Sequence, residues 1–146
     1  MLATVSFRQA ELHFSRHHMD LPSNILQLAE AGRLDPTSLL RWCEQTGLSA
    51  VDASDSLARQ VGRAYLAGEL HYDVGNQVMN AVMNAVTSPE FLAVSNSAVP
   101  KLTLDVYLAF DAGEYLHPKD QTDENPAAKY TRPMLQSLLR AAEAAG

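Results

Sequence analysis

The run Leu102-Thr103-Leu104-Asp105-Val106-Tyr107-Leu108-Ala109-Phe110-Asp111-Ala112-Gly113 decides the fold class. Its apolar residues fit the helical period: Leu102, Val106, Ala109 and Phe110 form one stripe, and Leu104, Tyr107 and Leu108 form another. A helix that is apolar on almost every side sits in the middle of a helical protein, because each stripe must be covered by a neighbour. Gly113 is the expected stop.

The punctuation on both sides of this run is also helical. Ser6 and Gln9 form a capping-box pattern, and Phe7, Ala10, Phe14 and His18 then share a face, so a helix is expected to end near Asp20. Ser23 can cap a short helix over 24–31, stopped by Gly32. Asp35-Pro36 is an N-cap followed by proline at the first helical position, and that helix carries Leu39, Leu40 and Cys43 to a stop at Gly47. Ser49 and Asp52 form another capping box, ahead of the stripe Leu57, Val61, Ala64 and Tyr65, with Gly68 as the end. Asp73 is the expected cap of the next helix, which lines Val74, Val78, Val82 and Ala85 on one face. Ser88-Pro89 opens a short helix through Phe91 and Leu92, and a last helix is expected over about 133–145.

Residues 114–131 break the pattern with Pro118, Asn125 and Pro126 among closely spaced acids. They read as one long loop, and loops beyond about 12–15 residues in compact domains are mostly functional or disordered. No alternating strand pattern survives. The expectation is an all-α fold: a single helical domain over residues 1–146, a compact bundle of six to eight helices, several short, with a long acidic loop before the last.

Composition narrows the function classes. With 146 residues, 11 Lys and Arg against 17 Asp and Glu, and a formal charge of -6, the chain does not suit sequence-independent binding to nucleic acid or anionic lipid. A basic protein partner fits that balance. Cys43 is the only cysteine, which rules out an intrachain disulfide and a four-thiolate zinc site. The N-terminal residues lack the pattern of a signal peptide, and the longest apolar run, Val106 to Phe110, falls far short of the roughly 20 residues of a membrane span. A cytoplasmic location with no membrane association is expected.

Several residue groups can be read as chemistry. His13 and His17 are one helical turn apart, a spacing that can hold a metal, but without the glutamate of a zinc protease. Asp111, Glu114 and His117 recur at intervals of three, with Asp120 and Asp123 as further oxygen donors, yet their spacing does not match a calcium loop. Asp111 and Glu114 sit near the negative end of a helix dipole, which suggests a cation such as Lys129 or Arg132 beside them. Glu69, His71 and Asp73 cluster in a turn, where a carboxylate beside a histidine can do acid–base work, but no activated nucleophile accompanies them. Asp105 is either a buried charge paired with Arg59 or Arg63, or an ordinary first-turn acid if Thr103 is the cap. Cys43 lies on an apolar stripe and reads as a small core residue. Asn76, Asn80 and Asn84 form a polar stripe beside Met79 and Met83, either a solvated seam or a face that packs on a second copy of the chain. No phosphate-cradling loop, dinucleotide fingerprint or nucleophile elbow is present, so no catalytic residue, metal or cofactor is assigned.

The acidic segment carries the leading functional expectation. From Asp105 to Glu124 there are six acids (Asp105, Asp111, Glu114, Asp120, Asp123, Glu124) and one base, Lys119, a local charge of -5. Tyrosine buries large area at low rotamer cost, so Tyr115 and Tyr130 are natural interface anchors, and surrounding carboxylates steer a basic partner. The expected contact surface is Glu114, Tyr115, Asp120, Asp123, Glu124 and Tyr130. The stretch Ala109 to Tyr115, then His117, Asp120 and Lys129 to Pro133, resembles the C-terminal part of small uncharacterised bacterial proteins. In general character the chain is similar to immunity proteins of bacterial toxin systems. That resemblance implies a small, acidic, helical, cytosolic protein that neutralises a basic nuclease toxin. Two alternatives stay open: a metal-dependent enzyme using His71, Asp73, Asp111, Glu114 and His117, and an oligomerising helical module.

Overall fold

The computed structural model describes residues 23–145. The expected first helix and its His13–His17 pair lie outside them. Seven α-helices and no strand are present among the described residues. They are α1 (Ser23–Glu30), α2 (Pro36–Thr46), α3 (Ala50–Leu66), α4 (Tyr72–Val86), α5 (Pro89–Val94), α6 (Lys101–Ala112) and α7 (Arg132–Ala145), with a π-helical turn (Ala127–Thr131) running directly into α7.

Most of the expected caps are made. The Ser38 N–H donates to the Asp35 carboxylate at 2.8 Å, with Pro36 at the first helical position. The Asp52 and Phe91 N–H groups donate to the hydroxyls of Ser49 (3.0 Å) and Ser88 (3.2 Å). Each such cap satisfies a donor that the helix leaves without an internal partner, typically worth about 1 kcal/mol. Gly32, Gly47 and Gly68 close their helices with φ of +69°, +76° and +78°, a region where a Cβ would be strained.

Two local expectations are corrected. The cap position of α4 belongs to His71, which makes no side-chain cap bond; Asp73 lies in the first turn, where its charge faces the positive end of the dipole. The loop before the last helix is also shorter than expected, because 127–131 are helical. Pro133 explains the departure from ordinary α geometry. A proline inside an α-helix has no N–H to give and crowds the carbonyl four residues back. A wider turn relieves that conflict, and here the Arg132 N–H reaches back five residues to the Ala127 carbonyl.

α6 is the central element. It packs against α3, α4, α7 and the π-helical turn. Val106, Ala109 and Phe110 from its first stripe are fully buried against Leu57 and Val61 of α3, Val78 and Val82 of α4, and Leu135 of α7. Burying each valine, leucine or phenylalanine among them contributes roughly 1.5–3 kcal/mol. The second stripe is only partly covered, and Leu108 remains 44% exposed. α6 is therefore central without being enclosed all round.

Close approach of α4 to α6 depends on Gly75. A Cβ there would lie 2.6 Å from Cε1 of Phe110. The Phe110 ring also packs edge-on with Tyr65 (centroids 5.5 Å apart) and beside Tyr72 (5.7 Å). Cys43 is buried, as its stripe suggests, and burial pushes its thiol up, away from nucleophile character. Met79 is turned fully into the chain's own core, and Met83 packs partly against it. Asn76 and Asn80 are half-buried and Asn84 is exposed, so only the polar part of that seam faces outward.

α6 opens without a side-chain cap of its own, since Pro100 holds the cap position. Thr103 is fully buried, and both its N–H and its hydroxyl donate to Asp55 Oδ1 of α3, at 2.8 and 2.9 Å. Asp55 thus caps α6 from another helix, and Thr103 is the residue capped, not the cap. Asp105 pairs with Lys101 at 2.7 Å in place of Arg59 or Arg63. Removing the Asp55 acceptor strands two donors, at a cost of about 1–3 kcal/mol each when buried. An Asp55→Ala variant is expected to lose at least about 2 kcal/mol in chemical denaturation. Asp55→Asn, which keeps one oxygen acceptor, is expected to lose less; equal losses would refute the capping role.

Candidate acidic recognition surface

The segment between α6 and α7 is built on Asp120. Its Oδ2 accepts the His117 N–H at 2.8 Å, and its Oδ1 accepts Lys129 Nζ at 2.5 Å. The Tyr130 hydroxyl lies 2.7 Å from both carboxylate oxygens. Glu124 makes a second turn of the same kind: its Oε2 accepts the Gln121 N–H and Lys129 Nζ, both at 3.0 Å. The Asn125 side chain accepts the Ala127 and Ala128 N–H groups and so opens the π-helical turn. A single ammonium, Lys129, therefore bridges two carboxylates from two turns.

This platform is fastened to the end of α6. The His117 ring stacks on Tyr130 with centroids 3.8 Å apart and planes 11° from parallel. His117 Nε2 lies 3.1 Å from the Ala112 carbonyl, so it donates, which assigns the proton to that nitrogen. The Thr131 hydroxyl donates to the Ala109 carbonyl at 2.7 Å, and the Tyr72 hydroxyl donates to the Phe110 carbonyl. Gly113 is required by packing, not by an unusual backbone: its φ is -94°, but a Cβ there would lie 2.1 Å from Thr131 Oγ1.

The six expected contact residues divide by position. The Asp120 side chain is only 2% exposed behind Lys129 and Tyr130, Glu124 is half-buried, and Tyr130 is half-buried under His117. Tyr115 stands out at 74% exposure with Leu116 beside it, Asp123 is exposed, and Glu114 is half-buried. Leu116 was not singled out in the sequence; its place beside Tyr115 in an acidic stretch was the available signal.

Electrostatics separate the acids in the same way. Hydrogen bonding from Lys129, then from Tyr130, holds the Asp120 carboxyl well below the usual carboxylate range. The Lys129 ammonium is held above its ordinary value by Asp120 and Glu124. Lys129 is thus committed to those two acids. Arg132 lies 5.5 Å over the Tyr65 ring and reaches the Leu66 carbonyl at 3.5 Å. Neither cation answers Asp111 and Glu114, contrary to expectation. Among the described residues, Asp111, Glu114 and Asp123 form no ion pair. Their field is felt by Tyr72: burial, then the charges of Glu114 and Asp111, push its hydroxyl up to about 12.

The histidine–carboxylate groups do not converge. Among the described residues, no three His, Cys, Asp or Glu side chains are placed to hold a metal together. His71 and Asp73 are exposed at the start of α4, and His117 is taken up by Tyr130 and Ala112. No helix among the described residues is long and apolar enough to cross a membrane.

Linkage gives a test of the platform. The folded Asp120 carboxyl lies below its unfolded value of about 3.9, so its stabilising contribution is present above that value and is lost as pH falls toward the folded one. Lys129 lies above its unfolded value of about 10.4, so its contribution is present below that and is lost as pH rises beyond it. In a Lys129→Ala variant, carboxyl carbon NMR is expected to show Asp120 titrating closer to 3.9, about where a free aspartate does. A titration midpoint unchanged from wild type would remove Lys129 from this role.

Comparison with protein-family models, with curated proteins and with solved structures yields no match to this chain.

Proposed function

We propose that this chain is a protein-binding module whose acidic end, between α6 and α7, receives a basic protein, most concretely as an immunity protein that occludes a toxin. The observation that carries the reading is Tyr115, 74% exposed on a segment whose neighbours are fixed by hydrogen bonds. Exposed tyrosine on a hydrogen-bonded segment makes an economical anchor, because the loop is already ordered and a tyrosine side chain has only two rotors to fix on binding. Glu114, Asp111 and Asp123 supply negative charge with no ion-pair partner among the described residues, which raises association rates with a basic surface and makes them salt-sensitive. In this reading Tyr115, Glu114 and Asp123 meet the partner directly. Asp120, Glu124 and Tyr130 hold the surface in shape and reach the partner at its rim. The formal charge of -6 over the whole chain agrees with that choice of partner.

The test is comparative capture from the native cell. Wild-type protein is expected to retain a basic protein that elutes as salt is raised. Tyr115→Ala and Asp123→Lys are each expected to weaken retention at least about ten-fold, the size of a hot-spot loss. The captured partner, expressed alone, is expected to arrest growth, and co-expression of the wild-type chain to restore it. Equal retention by wild type and both variants would refute the surface; a partner harmless on its own would refute the immunity role while leaving the surface standing.

A further inference from the structure

A long furrow runs between α6 and α7. Leu102, near the start of α6, lines a groove of about 840 Å³ together with Ala141, near the end of α7, and with Leu48 and Asp52 at the N-terminal part of α3. Leu108, further along α6, lines a hollow of about 320 Å³ with Met134, near the start of α7. The two helices are therefore antiparallel here, and because Asp105 and Leu138 line both spaces, the two are continuous. From Met134 to Ala145 the furrow follows three turns of α7, about 16 Å at 1.5 Å per residue.

The furrow is walled by apolar stripes that the core does not use. α7 buries Leu135 and Leu139, yet carries a second stripe at helical spacing, Met134, Leu138, Ala141 and Ala145. Of these, Leu138 is half-buried and the other three are exposed. α6 adds exposed Leu108 from its own second stripe. A helix packed on one side needs one apolar stripe. Outer stripes that adjoin across two helices mark a face that another molecule covers.

Charge at the edges selects the partner. Three acids, Asp52, Asp55 and Asp105, line the groove against Arg59 and Lys101, a formal -1. Lys101 is taken up by Asp105, and Arg59 Nε is buried without a hydrogen-bond partner, out of reach from the groove. Asp52 is exposed at one end of the furrow, and Asp111 is exposed one turn along α6 from Leu108 at the other. Among the described residues neither forms an ion pair. Such edges repel an anion and suit Lys or Arg. The furrow's shape suits a helix, since the space between two helices accepts the side-chain ridge of a third, with anchors about one turn apart.

We propose that the α6–α7 furrow seats a basic amphipathic helix of a partner protein, its apolar stripe on Leu108, Met134 and Leu138 and its cationic residues at Asp52 and Asp111. The furrow shares only Asp111 with the acidic end, and either reading can fail without the other.

The experiment is fluorescence anisotropy of the full chain with a labelled synthetic helix of leucine and lysine, roughly 14 residues long so that it spans the furrow. Leucine occupies one face and lysine the rest. Saturable one-to-one binding that weakens as salt is raised is expected. A peptide with glutamate in place of lysine is expected to bind at least about ten-fold more weakly, as is one of the same composition with its leucines scattered around the helix. Ala141→Trp, which fills the furrow from an exposed position, and Leu108→Gln are each expected to weaken binding at least about ten-fold. Should Leu108→Gln fail to fold, Ala141→Trp decides alone. The proposal is overturned by an absence of saturable binding, by equal affinity for the lysine and glutamate peptides, or by undiminished binding to folded Ala141→Trp. Self-association of the wild-type chain that Ala141→Trp abolishes would also overturn it, by seating a second copy in the furrow.

Discussion

The structure depends on satisfying both ends of α6 from elsewhere in the chain. A helix leaves backbone groups unpaired at each terminus, and a central helix cannot give all of them to water. Its own sequence brings no side-chain cap, with Pro100 at one end and Gly113 at the other. Asp55 of α3 answers the first turn. At the far end, Tyr72, Thr131 and His117 donate to the carbonyls of Phe110, Ala109 and Ala112. Four side chains from four different segments therefore set where α6 begins and ends.

That arrangement couples the core to the surface. Thr131 and His117 fasten the acidic segment to α6, and Gly113 is bare so that Thr131 can approach. Phe110, whose own carbonyl accepts from Tyr72, packs its ring against Gly75 and the rings of Tyr65 and Tyr72. The acidic segment is consequently an extension of the core. Lys129 completes it by drawing Asp120 and Glu124 together, so charges that would repel each other form one closed network. Exposed ion pairs contribute little on their own, but a network that also orients a tyrosine and a histidine has a positional effect beyond its energy.

The two ends of the α6–α7 pair are then chemically distinct. Among the described residues, one has acids without an ion-pair partner around an exposed tyrosine and leucine; the other has a buried arginine nitrogen without an acceptor beside apolar side chains. The exposed acids are left to solvent and a partner, whereas the Arg59 nitrogen departs from the rule that buried polar groups are matched internally.

The sequence by itself determined the helices and most of their boundaries. Asp35-Pro36, Ser49, Ser88-Pro89 and the stops at Gly47 and Gly68 act within a few residues, so their chemistry is visible in a linear reading. It also showed where the negative charge gathers, because that is a count. Only the tertiary structure decided how that charge is apportioned. Whether Lys129 answers Glu114 or Asp120 depends on how the π-helical turn that carries it packs against α6. The capping of Thr103 by Asp55, 48 residues away, was equally out of reach, as was the orphaned nitrogen of Arg59, since both follow from which helices become neighbours. Local hydrogen bonds are encoded locally; the matching of charges across a core is settled only when the helices pack.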